Sequence, residues 1–120
     1  MSWQRIGRGM CALSGAEATG KLHVIKDIED VLRLMNNGSD DAIVLLDLAG
    51  ATTITPIFSS IIGIICTTGG ITSHLAIVAR EFDLACIMGA DVTFDTRLQG
   101  KRVKLSKTGE IFISDDGDDQ

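Results

Sequence analysis

With 120 residues, 45% of them hydrophobic, the chain is long enough for one cored domain, too short for two, and too apolar for wholesale disorder. Aromatic residues make up only 4% and tyrosine is absent, so the core must be aliphatic, which suits Ile/Val/Leu strands covered by helices. The net charge is -5, but Asp115, Asp116, Asp118 and Asp119 crowd the last positions; acidity is a property of a solvated tail, and no basic stripe is present to follow a nucleic-acid backbone.

Residues 1–8 are polar and glycine-spaced and read as a loosely attached start. Met10 to Leu13 is a short apolar run closed by Ser14-Gly15, a turn signal. Gly20 to Ile25 alternates polar and apolar residues, the pattern of a half-buried strand. Asp27 can cap a helix over Ile28 to Asn36, with Ile28, Val31, Leu32 and Met35 on one face and Asn37-Gly38 ending it. Ala42 to Leu46 is a central strand, followed by a threonine-rich loop to Pro56 and a short helix over Ile57 to Ser60.

Ile61 to Cys66 is a strand buried on both faces, ending in the paired glycine Gly69-Gly70. The helix after it should bury Leu75, Ile77, Val78 and Phe82. Leu84 to Met88 is a further strand, and Lys101 to Leu105 and Ile111 to Ile113 form a hairpin around Lys107-Thr108-Gly109. The reading is a single α/β domain over residues 9–114, with an acidic tail at 115–120. Cys11, Cys66 and Cys86 are odd in number and lack a Cys-x-x-Cys spacing, so they read as buried free thiols in a reducing cytoplasm. No signal peptide or apolar run of membrane-spanning length is visible.

The segment with chemical capacity is Thr67-Thr68-Gly69-Gly70-Ile71-Thr72-Ser73-His74. A strand, a tight glycine turn and a helix start put His74 where backbone N–H groups are unpaired and the helix carries partial positive charge. Such a terminus seats a phosphoryl group, and an imidazole there can attack phosphorus and hold the group covalently. Gly69 and Gly70 let the backbone approach a ligand closely. Thr72 and Ser73 offer hydroxyls either as helix caps or to phosphate oxygens. Arg80 either faces the same anion or pairs with a surface carboxylate. Thr55 either bonds the imidazole or its phosphoryl group, or closes a simple Thr-Pro turn. His23, in an alternating strand, takes a structural or surface role. No nucleotide-binding glycine loop and no carboxylate cluster for magnesium is present.

Gly69-Gly70-Ile71-Thr72-Ser73-His74-Leu75-Ala76-Ile77-Val78-Ala79-Arg80-Glu81 resembles the phosphohistidine signature of the PEP-utilising enzyme mobile domain, Gly-Gly-x-Thr-Ser-His-x-Ala-Ile-Val-Ala-Arg-Glu. Weaker similarity runs through Ser14-Gly15, Gly20-Lys21, Thr55-Pro56 and Gly100-Lys101-Arg102-Val103, so it covers most of the chain. The resemblance implies a swivelling β/β/α fold in which His74 is the phosphorylated residue. It implies no cofactor held by this chain itself, with Mg2+ and ATP or PEP on partners: an ATP-grasp-type nucleotide-binding subunit and an acceptor-site subunit. A free-standing cytoplasmic carrier subunit of a multi-subunit phosphotransferase is the expectation, with neither nucleic acid nor membrane as partner. The alternatives are a docking or regulatory module that retains the fold, and a non-covalent anion-binding module. Asp83-Leu84-Ala85-Cys86-Ile87 stands where the family has Gly-Ile-Pro-Ala-Val, which should alter the turn after the helix.

Overall fold

A computed structural model describes residues 3–11, 17–25, 28–37, 41–46, 61–67, 74–92 and 100–114, with only the backbone described at 28, 31, 35, 37, 74 and 75. The elements in chain order are β1 (Trp3–Arg8), β2 (Met10–Cys11), β3 (Ala18–Val24), α1 (Ile28–Asn37), β4 (Ala42–Leu46), β5 (Gly63–Cys66), α2 (His74–Glu81), β6 (Ala85–Met88), β7 (Arg102–Leu105) and β8 (Glu110–Ser114). They form a mixed sheet in the order β1-β8-β7-β3-β4-β5-β6-β2. Strands β3, β4, β5 and β6 are mutually parallel, and the remaining pairings are antiparallel.

The two outermost strands of that order, β1 and β2, are consecutive pieces of one segment parted only by Gly9. The sheet therefore returns to its own beginning: Trp3–Arg8 pairs with β8, and Met10–Cys11 pairs with β6. Closure of this kind removes the exposed edges that an open sheet presents. Of the residues expected to be a loose start, Trp3–Arg8 are instead the closing strand. Their alternation is broken by a β-bulge between Arg5 and Gly7, which shifts the side-chain phase and hides the strand from a period-two reading. At the crossing point the Gly9 amide donates to the Gly109 carbonyl at 2.9 Å, and the Asp91 amide donates to the Arg8 carbonyl at 2.8 Å.

Two aliphatic cores lie on either side of the parallel strands. One, with Leu34, Val44, Ile64, Cys66, Ala76, Ala79, Cys86 and Met88, fills the space beneath the helices. The other, with Leu22, Ile43, Leu45, Ile65, Ile87, Val103, Leu105 and Ile111, fills the inside of the curled sheet. Every residue of β4 is buried, as expected for a strand with parallel neighbours on both sides and a core on each face. The result is three layers: antiparallel strands, parallel strands, helices.

The helices depart from the expected inward faces at Leu32, Ile77 and Phe82; the side chains of Ile28, Val31 and Met35 lie outside the described residues. In α1, Leu34 is buried while Leu32 is 51% exposed. In α2, Ala76 and Ala79 are fully buried, Val78 is partly so, and Ile77 and Phe82 are 42% and 47% exposed. Small residues win the inward face of α2 because a methyl group lets the helix lie close on a sheet already filled by Ile64, Cys66 and Cys86. The expected short helix at 57–60, the turn at Ser14-Gly15, the acidic tail and the Leu75 side chain lie outside the described residues.

Candidate functional site

Strands β5 and β6 are parallel neighbours joined through α2. The helix must therefore run back along the sheet, with its N-terminus at the carboxyl edge of the strands. His74 is the first residue of that helix. The same edge receives the end of β4, which lies parallel to β5 in the register Leu46↔Cys66. It is laced by two backbone bonds: the Thr67 amide donates to the Leu46 carbonyl at 3.0 Å, and the Ala90 amide donates to the Cys66 carbonyl at 2.9 Å. In open parallel sheets this edge is where ligand sites gather. The segments after β4 and β5 therefore leave the sheet side by side at Leu46 and Thr67.

The far end of α2 is closed by a backbone motif. The Leu84 amide donates to the Ala79 carbonyl at 2.9 Å and the Asp83 amide to the Arg80 carbonyl at 3.2 Å. This is the six-to-one, five-to-two pattern of a Schellman cap, with buried Leu84 as its apolar anchor. Asp83 occupies the left-handed position, at φ 59°, where glycine is usual. Asp83 thus takes the left-handed position without breaking the cap; aspartate tolerates this conformation better than most side chains.

Of the site residues expected from the sequence, the structure places two. His74 opens α2, and Arg80 lies partly buried in its last turn. Arg80 therefore stands at the opposite end of the helix from His74, and its positive charge reaches Cys86 beneath it. Gly69, Gly70, Thr72, Ser73 and Thr55 lie outside the described residues. By helical spacing, position 74 shares a strip with Ile77 and Glu81, three and seven residues on, and both of these are exposed.

Beside this edge an open cleft of about 690 Å³ is lined by Arg5, Arg8, Gly7, Thr67, Asp91 and Val92, among others. Its arginines come from β1. The sequence signal that marks this strand is the apolar pair Trp3 and Ile6, the latter within the bulge. Arg5 is tied to Glu110 by a 3.2 Å ion pair. Cys66 and Cys86 are buried and Cys11 is partly exposed, none of them in a disulfide, against the expectation that all three are buried. Burial, with the neighbouring Cys66 and Cys11, pushes the Cys86 thiol up to about 12. His23 lies on β3; burial and the Lys21 ammonium lower its pKa, against the opposing pull of Asp41. Among the described residues no group of three or more His, Cys, Asp or Glu is assembled to hold a metal ion, and no helix is long and apolar enough to cross a membrane.

The family description "PEP-utilising enzyme, mobile domain" matches residues 36–109, which hold β4, β5, α2, β6 and β7. The chain belongs to this family. As a PEP-utilising enzyme mobile domain it is similar to chondramide synthase cmdD of Chondromyces crocatus, at 32% identity over 95 residues, covering 78% of this chain and 2% of that protein. It is similar also to rifampicin phosphotransferase of Bacillus subtilis (strain 168), at 28% identity over 103 residues, covering 83% of this chain and 11% of the phosphotransferase. The chain thus spans a small part of the curated relatives it matches. Among solved structures, the N-terminal domain of Enzyme 1 - Nitrogen superposes with a TM-score of 0.54 at 22% identity, over 68% of this chain and 35% of that one; this likeness speaks to the fold.

Proposed function

We propose that this mobile domain carries a phosphoryl group on His74, relaying it between a nucleotide-binding site and an acceptor site that both lie outside these 120 residues. The observation that carries the reading is the placement of His74 as the first residue of α2, at the carboxyl edge of the parallel strands, in a chain of the PEP-utilising family. A ring nitrogen of His74 attacks the terminal phosphorus of ATP or PEP on the donor site. The N–P bond forms as the bridging O–P bond breaks, and the leaving oxygen keeps its electron pair. The helix terminus, the Gly69-Gly70 amides and the Thr72 and Ser73 hydroxyls offset the charge of roughly minus two on the phosphoryl group. The acceptor's oxygen then attacks phosphorus and the imidazole leaves with the N–P electron pair.

Mg2+ and the nucleotide are held by the donor, an ATP-grasp-type subunit or domain, which supplies most of the stabilisation of the transferring group. Domain movement between the two sites makes each docking contact transient and of modest area. Support for a phosphotransferase comes from the rifampicin phosphotransferase relatives.

The test is mass spectrometry of the intact chain, under conditions that preserve acid-labile phosphate, after incubation with the donor subunit and ATP or PEP. Wild type should gain one phosphoryl group, His74→Ala none, and His23→Ala the same as wild type. A label retained in His74→Ala puts the nucleophile elsewhere; no label on any form favours a docking or anion-binding module.

A further inference from the structure

The outward face of the antiparallel layer collects charge in a way the linear sequence conceals. Facing residues of neighbouring strands share a side of the sheet, and residues two apart on one strand do as well. Arg5 faces Phe112, Phe112 faces Lys104, and Lys104 faces Thr19. Trp3 faces Ser114, and Lys21 faces Arg102. Leu22, Val103 and Ile111 point to the opposite, buried side, which fixes these eight residues as the outer set, Ser114 alone among them being buried. They include four cations, two aromatic rings and two hydroxyls, and no carboxylate. Glu110, one row further along β8, is already engaged by Arg5 at 3.2 Å.

Stability does not account for this arrangement. Like charges directly opposite each other on paired strands are destabilising, yet Lys21 and Arg102 are held in that register and Lys104 stands two residues from Arg102. Burial chiefly lowers the pKa of His23 on the same strand face, with Lys21 adding to it and Asp41 opposing it. The Lys104 ammonium lies 5.3 Å from the Trp3 ring centroid and 5.5 Å from that of Phe112. Those rings hold and orient a cation.

We infer that this face, formed by Arg5, Lys21, Arg102 and Lys104 around Trp3 and Phe112, docks an acidic polypeptide segment of a partner protein. A single-stranded nucleic acid fits less well. The ring faces on which bases would stack are occupied by Lys104, and a chain of net charge -5 repels a closely spaced phosphate backbone. A peptide with separated carboxylates needs only the local patch. The inference does not depend on phosphorylation of His74.

The test uses Trp3, the single tryptophan of the chain, as a built-in reporter. An aspartate-rich synthetic peptide is titrated into the intact chain at about 50 mM salt and again at about 300 mM, where surface attraction is screened. Tryptophan fluorescence should change saturably at low salt, with affinity falling several-fold at high salt. Arg102→Gln with Lys104→Gln should weaken binding roughly five- to tenfold, whereas Lys107→Gln in the exposed turn should not. Arg102→Gln alone should bind more weakly while melting no lower than wild type, because it relieves the Lys21 repulsion; a loss of binding explained only by misfolding would lower both. Tighter binding of an oligothymidylate of equal charge overturns the proposal. So does peptide binding that emerges only once the four tail aspartates are changed to asparagine, which would make the chain's own tail the occupant.

Discussion

Replacing Gly9 by alanine tests the closure of the sheet directly. A Cβ at this position would lie 2.6 Å from the Met88 carbonyl oxygen, 2.8 Å from Ile87 Cγ2 and 3.0 Å from Ala90 Cα. The carbonyl belongs to β6, which Met10 and Cys11 pair with, so it cannot withdraw without opening the last rungs of the closing strand. The Gly9 amide is also committed to Gly109. Overpacking of this kind costs about 1–3 kcal/mol, and two of the three contacts are to backbone, which argues for the upper half. Alanine returns about 0.5 kcal/mol by restricting the unfolded chain, leaving a net loss of about 2 kcal/mol. For a domain of this size each kcal/mol is worth about 4 °C in melting temperature, so Gly9→Ala should melt about 8 °C below wild type by circular dichroism or calorimetry. Gly100→Ala is the control: its φ of 84° penalises a side chain, but nothing lies within 4 Å of the added Cβ, so its loss should be about 1 kcal/mol. A Gly9→Ala protein melting within about 2 °C of wild type, or no lower than Gly100→Ala, would refute the closed arrangement.

Asp83→Gly should raise stability by about 0.5 kcal/mol in urea unfolding, because relief of left-handed strain of about 1 kcal/mol outweighs the added freedom of the unfolded chain; Asp83→Val should lose at least as much. The Cys86 thiol, raised from 9.0 to about 12, remains protonated in the fold while the unfolded chain ionises. Stability should therefore be unaffected below pH 9 and fall by about 1.4 kcal/mol per pH unit between pH 9 and 12, a limb that Cys86→Ala removes. At pH 8, a thiol reagent should modify Cys11 well before Cys66 or Cys86. His23, whose pKa is lowered by burial and by Lys21, is favoured neutral in the fold. Its contribution is complete above its ordinary 6.5 and is lost as pH falls through the depressed folded value; an NMR titration of His23 should show the depression shrinking in Lys21→Ala.

The parallel half of the domain was legible because its physics is local. Ala42–Leu46 is the same five residues in the sequence reading and in the fold, since a continuous run of β-branched and aliphatic residues has no alternative but a strand buried on both faces. The β7–β8 hairpin was legible for a similar reason: Gly109 supplies a φ of 91°, and its amide closes the turn on the Ser106 carbonyl at 3.1 Å. What the sequence concealed depends on long-range pairing. The strand character of Trp3–Arg8 exists only because Glu110–Ser114 lies beside it, more than a hundred residues away. The cationic face is invisible for the same reason: Lys21 and Arg102 are neighbours only through register. Helix faces failed in a more instructive way. Apolar periodicity marked Ile77 and Phe82 as inward, whereas close approach to a filled sheet selected the alanines beside them.

The position of His74 follows from constraints at both ends of a short helix. Toward the carboxyl end, the Schellman cap at Asp83 and Leu84 ties the last turn of α2 to the start of β6. Along its length, Ala76 and Ala79 seat it against Ile64, Cys66 and Cys86, with Val78 packed beside them. A helix held this way has little freedom to slide or roll, so its first residue is set relative to the strand ends at Leu46 and Cys66 within a small range. This explains why the departures at 83–87 are tolerable. Asp83 reproduces the backbone conformation that glycine would adopt, and Ala85, where the family carries proline, keeps the strand's place beside β5 in the register Gly63↔Ala85. Substitutions that preserve those two restraints leave the helix start where it is. A substitution that enlarges Ala79, such as Ala79→Leu, would lift α2 from the sheet and displace position 74 without touching any residue of the Gly69–His74 segment. It should therefore reduce phosphorylation of His74 by more than its cost in stability, about 1–3 kcal/mol, would lead one to expect from unfolding alone. Equal phosphorylation in an Ala79→Leu protein that remains folded would show that the helix seat does not set the position of the histidine.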